Sequence, residues 1–190
     1  MPDGKNRCPW CEGSDLMEAY HDTEWGNPLH DERLHFEFLC LEAMQAGLSW
    51  MVVLKKREAF RRAFAGFDPE KVALFGPGEV ETLLEDSGII RNRRKIEALI
   101  SNARCFLEVQ KQFGSFDAYI WGFTGGKPVK NRWETLAQMP VTAELSDTVA
   151  RDLKERGFKF LGSTIVYAHL QAIGVVNDHL VSCFRYHEVG

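Results

Sequence analysis

A single carboxylate lies in an otherwise nearly apolar stretch of the sequence. In CLEAMQAGLSW, residues 40–50, Glu42 is surrounded mainly by leucine, alanine and methionine. A carboxylate on or beside a core face needs a hydrogen-bond partner or a ligand. Glu42 is therefore a candidate for binding or catalysis. A solvated helix position is the ordinary alternative, and this stretch alone leaves both open.

Cysteine and histidine residues at metal-ligand spacing occur near both ends of the chain. NDHLVSC places His179 and Cys183 four residues apart, which on a helix puts both side chains on one face. CPWC supplies Cys8 and Cys11, and AYHDTEWG supplies His21. A Zn²⁺ ion bound by both ends would fasten the N-terminal segment onto the last helix. The alternative is a chance HxxxC, with Cys183 as a small buried side chain.

Length and composition indicate one domain over residues 1–190, with room for two helical lobes. The chain is 45% hydrophobic and long enough to bury one core. No apolar run reaches about 18 residues and no signal-like start is present, so we expect no membrane span, no secretion and a cytoplasmic location. Five cysteines, an odd number, then indicate reduced thiols or metal ligands rather than disulfides.

The net charge of −4 argues weakly against a nucleic-acid partner, although charge also acts through local patches. Two basic clusters, in residues 55–62 and 91–95, could form such patches. The second cluster opens a long amphipathic helix, where cations oppose the helix dipole at a cost that a nearby phosphate would offset. For each cluster, a solvated helix face is the alternative.

Helical patterns recur along the whole chain, and they predict an all-α fold. Apolar residues fall at helical spacing between capping residues, whereas sustained alternation of period two is absent. The glycine-rich loop at residues 122–132 is the expected boundary between lobes. The predicted helices cover residues 31–47, 49–64, 68–76, 92–112, 146–157 and 163–174.

Two turns between predicted helices could contact DNA. In KERGFKFLGST, residues 154–164, Gly157 and Gly162 would let the backbone approach a partner, and the N–H groups opening the next helix would suit a phosphate. An ordinary corner between helices is the alternative. At the other turn, Gly47 and Leu48 would offer an apolar wedge to fill the gap left by an extruded base.

The blocks CLEAMQAGLSW, AYHDTEWG, SGIIRNRRKI and GFKFLGST followed by VNDH resemble the 3-methyladenine DNA glycosylase I family, a branch of the helix-hairpin-helix glycosylase superfamily. The likeness runs from about Cys8 to Cys183 in the same order. It implies a helix-hairpin-helix bundle and a monomer that hydrolyses the N-glycosidic bond of 3-methyladenine in alkylated double-stranded DNA, releasing the free base. It also implies one structural zinc ion, held by Cys8, His21, His179 and Cys183, with Cys11 outside the site.

The resemblance also assigns roles to residues. It makes Glu42 the catalytic carboxylate of a pocket whose rings attract a flat, positively charged base. Met17 stands where family members have a second tyrosine, which makes the pocket less polar. The base-binding rings would be Trp10, Tyr20, Trp25 and Trp50. The DNA-binding residues would be Gly47, Leu48, Gly157, Lys159, Gly162, Ser163 and Thr164.

Two positions bear on the mechanism. Thr164 stands where bifunctional members of the superfamily have a Schiff-base lysine, so the resemblance implies no lyase step. Asp178 follows Asn177 near the place where many relatives have a catalytic aspartate, and its role is open. Two other classes of protein remain: a non-enzymatic module that binds distorted DNA, and a zinc-dependent hydrolase, which would need an open metal position.

Overall fold

The computed structural model describes residues 4–189, and within them the chain is mainly α-helical. This confirms the predicted helical class, and no helix in the described part is long and apolar enough to cross a membrane. Short 3₁₀ turns occupy Pro9–Cys11, Ala65–Phe67, Leu136–Gln138 and Phe184–His187. The helices are α1 (Asp15–Thr23), α2 (Glu32–Gln45), α3 (Trp50–Ala63), α4 (Pro69–Val72), α5 (Pro77–Glu85), α6 (Arg93–Phe113), α7 (Phe116–Gly122), α8 (Glu144–Glu155) and α9 (Ser163–Ala172).

Several of these helices begin where the sequence places a capping side chain. Asp31 accepts a hydrogen bond from the Leu34 amide at 2.9 Å, and Asn92 accepts one from the Lys95 amide at 3.2 Å. Such bonds satisfy amides that have no partner in the first turn of a helix. The predicted starts of α2 and α6 are therefore confirmed to within a residue.

Other boundaries differ from the prediction. The helix expected to begin at Ser146 begins at Glu144, because the Ser146 hydroxyl lies one turn inside and accepts a bond from the Ala143 amide at 2.8 Å. The helix expected over residues 68–76 already ends at Val72. The sequence patterns did not predict α1, α5 or α7, which have seven to nine residues each.

Helix α2 is the centre of the fold, because its residues 35–44 are all buried. It packs against α3, α6, α7 and α9, so it has no solvated face on which a polar side chain could remain in water. A charged residue near the middle of α2 must therefore find a partner inside the protein or in a cavity.

The described residues contain one small parallel sheet that the sequence did not predict. Strand β1 (Val129–Lys130) pairs with β2 (Val176–Asn177), with Val129 opposite Val176. Two-residue strands are too short to show period-two alternation. The pairing fixes the loop after α7 beside the segment that follows α9.

The segment carrying His179 and Cys183 is not the helix that their spacing suggested. Helix α9 ends at Ala172, and the chain then passes through β2 and a turn before a short 3₁₀ helix. The expectation that an ion would fasten the N-terminal segment onto the last helix is therefore wrong in its local geometry. The two side chains converge because the turn folds back.

Candidate active site and metal centre

A cavity of about 190 Å³ opens between α1, α2, α3 and α9. An apolar cavity of about 150 Å³ holds a benzene molecule, so this one is large enough for a small flat ring system. Its lining combines many aromatic side chains with a single carboxyl group. The lining residues are Trp10, Met17, Tyr20, Trp25, Glu42, Gln45, Trp50, Met139, Ala168 and Gln171.

Glu42 supplies that carboxyl group from the middle of the buried helix α2. Its side chain is 2% exposed, so a solvated position, which was the alternative reading, is wrong. The Oε2 atom has no hydrogen-bond partner among the described residues. Burial disfavours the charged form and raises the pKa of Glu42 to about 8. Without a cation beside it, this carboxyl group therefore retains a proton at neutral pH.

The four predicted base-binding rings all line the cavity and contact one another. The Trp10 and Trp25 rings meet edge to face at 5.0 Å between centroids, and Tyr20 lies 5.3 Å from Trp50. The Trp50 Nε1 atom is buried without a partner among the described residues, like Glu42 Oε2. Unpaired polar atoms are expensive in a closed interior, and these two belong to side chains that line the same cavity.

The metal-ligating residues predicted by the resemblance form one buried cluster. Their candidate ligand atoms all lie within 4.8 Å of one another. Cys183 Sγ is 3.4 Å from His21 Nε2 and 3.6 Å from His179 Nδ1. Cys11 lies apart, since its thiol donates to the Cys8 carbonyl at 3.1 Å. Two thiols and two imidazoles in a tight group are the donor set of a structural Zn²⁺ site.

The surroundings of the cluster suit a metal ion. The remaining ring nitrogens are already bonded: His21 Nδ1 lies 2.8 Å from Asp22 Oδ1, and His179 Nε2 lies 3.1 Å from the Trp25 carbonyl. Such outer contacts hold the ligand nitrogens toward the metal position. A hydrogen bond between the two thiols raises the pKa of Cys8 and lowers that of Cys183, which favours one thiolate in the cluster.

Two glycines allow the N-terminal segment to lie against this cluster. At Gly26, where φ is +80°, a Cβ atom would stand 2.8 Å from His179 Nε2. At Gly174, a Cβ atom would stand 2.4 Å from the Asn27 backbone. A glycine is therefore required at residue 26, because the backbone there lies close to His179 and because φ is positive. Trp25, just before it, belongs both to the cavity wall and to the surroundings of the cluster.

The turn at Gly47 and Leu48 lies on the surface at the end of α2, with the Leu48 side chain 42% exposed. Lys95 supports this turn from beneath, because its Nζ donates to the Met44 and Ala46 carbonyls at 2.8 and 2.6 Å. The suggestion that the cluster at residues 91–95 contacts phosphate is therefore wrong for Lys95, which is buried. In the other cluster, the buried Arg57 pairs with the carboxylates of Glu24 and Glu37.

The predicted hairpin lies between α8 and α9 and is anchored by Asn102 from α6. The Asn102 side chain bonds both the amide and the carbonyl of Lys159, at 2.8 and 3.0 Å. Gly157 needs its positive φ of +91°, whereas Gly162 has an ordinary φ of −72°. The conformational argument for glycine thus holds at Gly157 only.

The start of α9 carries the last two predicted DNA-binding residues. The Ser163 hydroxyl is already bonded, to Ser146 Oγ at 2.8 Å and to Asp147 Oδ1 at 2.5 Å, so only its backbone N–H is available to a phosphate. Thr164 follows in the first turn of the helix. None of the described residues that line the cavity is a lysine.

The sequence reasoning missed part of the cavity wall, namely Gln45, Met139, Ala168 and Gln171. Gln171 could have been identified from the sequence, because it is a polar residue near the end of the otherwise mostly apolar helix α9. No sequence pattern indicated Met139. It comes from a loop that reaches the cavity only through tertiary contacts.

Comparisons with known proteins agree with this geometry. The sequence profile described as methyladenine glycosylase matches residues 10–186. The DNA-3-methyladenine glycosylase 1 of Escherichia coli strain K12 is 47% identical over 180 residues, which cover 95% of this chain and 96% of that protein. A crystal structure of a 3-methyladenine DNA glycosylase I superposes with a TM-score of 0.92 at 48% identity, covering 94% of this chain and 98% of that one.

A further relative is a 3-methyladenine DNA glycosylase I that was solved as a tyrosine-to-phenylalanine variant in complex with 3-methyladenine. It has a TM-score of 0.91 at 35% identity, over 94% of this chain and 96% of that one. The chain belongs to the methyladenine glycosylase family. Its reaction is that of a base-excision repair glycosylase, the hydrolysis of an N-glycosyl bond.

Proposed function

We propose that this protein removes 3-methyladenine from alkylated double-stranded DNA, and that Glu42 is the residue that selects the base. The observation that carries this proposal is the unpaired Glu42 carboxyl group, buried in a cavity lined by aromatic rings. Relatives bear the name of this activity, and one of them was solved with 3-methyladenine bound.

The chemistry of the base explains why such a cavity suffices. Methylation at N3 leaves the adenine in DNA with a positive charge and a weakened glycosidic bond, so the enzyme needs selection more than strong acid catalysis. Aromatic faces attract a flat cation, each good contact contributing about 0.5–2 kcal/mol. A carboxylate adds charge and two acceptor oxygens. Neutral adenine gains neither attraction to the same degree.

Glu42 changes its charge state when the base enters. A cation within a few ångströms favours the ionised carboxylate, so binding lowers a pKa that burial alone raises to about 8. Binding of the methylated base at neutral pH therefore releases a proton. A charged base therefore gains the attraction of an ionised Glu42, whereas a neutral base leaves Glu42 protonated and gains no such attraction.

Access to the cavity requires the base to leave the DNA stack. The exposed Leu48 side chain is suited to fill the gap that remains. The hairpin around Lys159 and the backbone N–H groups opening α9, next to Gly162, Ser163 and Thr164, are suited to hold a phosphate. With no lysine lining the cavity, the reaction ends at base release, without a lyase step.

We propose that the cluster of Cys8, His21, His179 and Cys183 binds one structural Zn²⁺ ion. Four protein ligands complete a tetrahedral site and leave no position for an activated water, which argues against the zinc-hydrolase alternative. The ion would join the segment before α1 to the turn after β2. All five cysteines are free thiols, as a reducing cytoplasm requires, and we expect the protein to work there as a monomer.

The test of the proposed function is a base-release assay with methylated DNA. The native protein should release free 3-methyladenine, and Glu42→Gln should lower kcat/KM by at least about 100-fold, since a neutral amide does not gain charge. Glu32→Gln is the matched control, because Glu32 accepts bonds from the Phe116 and Asp117 amides away from the cavity. Equal loss in both variants, or full activity of Glu42→Gln, would contradict the role of Glu42. DNA binding without release would favour the non-enzymatic alternative.

A further inference from the structure

Asp178 lies at the centre of a hydrogen-bond network beside the cavity. It is fully buried and accepts four bonds. Oδ1 accepts from Asn131 Nδ2 at 2.7 Å and Trp133 Nε1 at 2.8 Å. Oδ2 accepts from the Tyr167 hydroxyl at 2.6 Å and Gln171 Nε2 at 2.7 Å. Two carboxylate oxygens with two lone pairs each are thereby saturated.

A saturated carboxylate of this kind is unsuited to general base catalysis. It has no lone pair left to take a proton from an attacking water, and Asp178 is not among the residues that line the cavity. Of its four partners, only Gln171 lines the cavity. Gln171 is therefore the partner through which hydrogen bonds can link Asp178 to a bound base.

The amide of Gln171 has one allowed orientation because of Asp178. A side-chain amide has nearly the same shape after a 180° flip, so on an open wall it could offer either a donor or an acceptor to a ligand. A carboxylate that accepts four bonds has no hydrogen to give, so the NH₂ group must face it. The same Nε2 atom also lies 3.4 Å from Met139 Sδ. Oε1 is left as the polar atom of Gln171 that a ligand can meet.

We propose that Asp178 is a positioning residue that holds Gln171 with its carbonyl oxygen toward the bound base, and that Gln171 thereby selects purines with a 6-amino group over purines with a 6-oxo group. This proposal rests on the function proposed above. An exocyclic amine donates a hydrogen bond to Oε1, whereas a 6-oxo group would place two acceptor oxygens against each other.

Charge alone does not provide this selection. 3-Methylguanine in DNA is also a flat cation, so the aromatic rings and the charge of Glu42 attract it as they attract 3-methyladenine. The two bases differ in hydrogen-bonding groups on the purine edge. A fixed acceptor on the cavity wall distinguishes them, and a freely rotating amide would accommodate both.

The experiment measures kcat/KM for release of 3-methyladenine and of 3-methylguanine from DNA treated with a methylating agent. We define the ratio as kcat/KM for 3-methyladenine divided by kcat/KM for 3-methylguanine. Gln171→Leu should lower this ratio about tenfold or more, because the acceptor is lost. Asp178→Asn should also lower it, because an amide at residue 178 can donate and so lets Gln171 flip. The double variant Gln171→Glu with Asp178→Asn should restore the ratio, since it places an acceptor-only group at residue 171.

Asn131→Ala is the matched control, because Asn131 bonds Oδ1 of the same carboxylate and does not line the cavity. It should lower the melting temperature and leave the ratio unchanged. A native ratio in Gln171→Leu, or a ratio in the double variant no higher than in Asp178→Asn, overturns the inference while the proposed function stands. A native protein that releases neither base contradicts the proposed function itself. Should Asp178→Asn fail to fold, Gln171→Leu still decides, because a native ratio in that variant overturns the inference.

Discussion

Glu42 and Asp178 are both buried carboxyl groups near one cavity, and their surroundings differ in the number of hydrogen-bond donors. Asp178 accepts four bonds from side chains of two segments of the chain. Glu42 leaves Oε2 without a partner among the described residues, and burial raises its pKa to about 8. A carboxylate surrounded by hydrogen-bond donors stabilises the fold, whereas a carboxyl group with an unpaired oxygen is available to bind a ligand. Variants of each group can test this comparison.

The largest effect is expected at the proposed metal centre, where one ion would join four buried ligands from the two ends of the chain. Cys183→Ala should abolish stoichiometric zinc binding and lower the free energy of unfolding by about 4 kcal/mol when free zinc exceeds its dissociation constant about 1,000-fold. Metal analysis and chemical denaturation measure the two quantities. Cys11→Ala is the matched control and should retain the zinc. A Cys183→Ala protein that loses zinc but keeps native stability would contradict the fastening role.

A smaller effect is expected at Asp178. Asp178→Ala leaves the Asn131, Trp133, Tyr167 and Gln171 donors without their acceptor, and each buried unpaired group costs about 1–3 kcal/mol before water or relaxation compensates. We expect a net loss of about 3 kcal/mol in the free energy of unfolding, measured by urea denaturation. If the loss were below about 1 kcal/mol, Asp178 would not be the scaffold group that the comparison requires.

Ionisation of Glu42 is expected to lower the free energy of unfolding as the pH rises. Because its pKa in the folded protein is about 8, above the ordinary value, its protonated form stabilises the fold at low pH, and this contribution is lost as the pH rises through about 8. The loss starts above the pKa of an unfolded glutamate, about 4.3, and relative to Glu42→Gln the native protein should lose about 2–3 kcal/mol of stability between pH 5 and pH 7. Denaturation curves at both pH values measure the difference. A constant difference would show that Glu42 has an ordinary pKa.

The smallest effect is expected at Lys95, a buried cation with partners. Burial lowers the pKa of Lys95, and its bonds to the Met44 and Ala46 carbonyls offset part of that cost. Lys95→Met should reduce the free energy of unfolding by about 1 kcal/mol and weaken DNA binding through the Gly47 turn. The exposed neighbour Arg94 provides the control variant, Arg94→Met. Equal effects of both variants on stability would show that the buried bonds contribute nothing.

Much of the site could be predicted from short stretches of sequence. Glu42 stood out because it was a charge in an apolar helix, and the family blocks supplied the aromatic residues. The helix starts at Asp31 and Asn92 could be predicted because a capping side chain acts within three residues. In contrast, the solvated face suggested for Lys95 was wrong, since helical spacing does not reveal that a carbonyl-bearing turn lies over this position.

The sequence by itself determined the helical class, the family, the unusual position of Glu42 in an apolar stretch and the residues available for a metal cluster, because these depend on local spacing and side-chain chemistry. Only the tertiary structure decided that Glu42 is buried and unpaired. It also decided that a turn, rather than a helix, brings His179 and Cys183 together, and that Asp178 is saturated. Partners such as Asn131 and Gln171 lie 47 and 7 residues from Asp178. Hydrogen bonds between distant segments form only when packing brings donors and acceptors within about 3 Å. Spacing along the chain does not predict which donors and acceptors come that close.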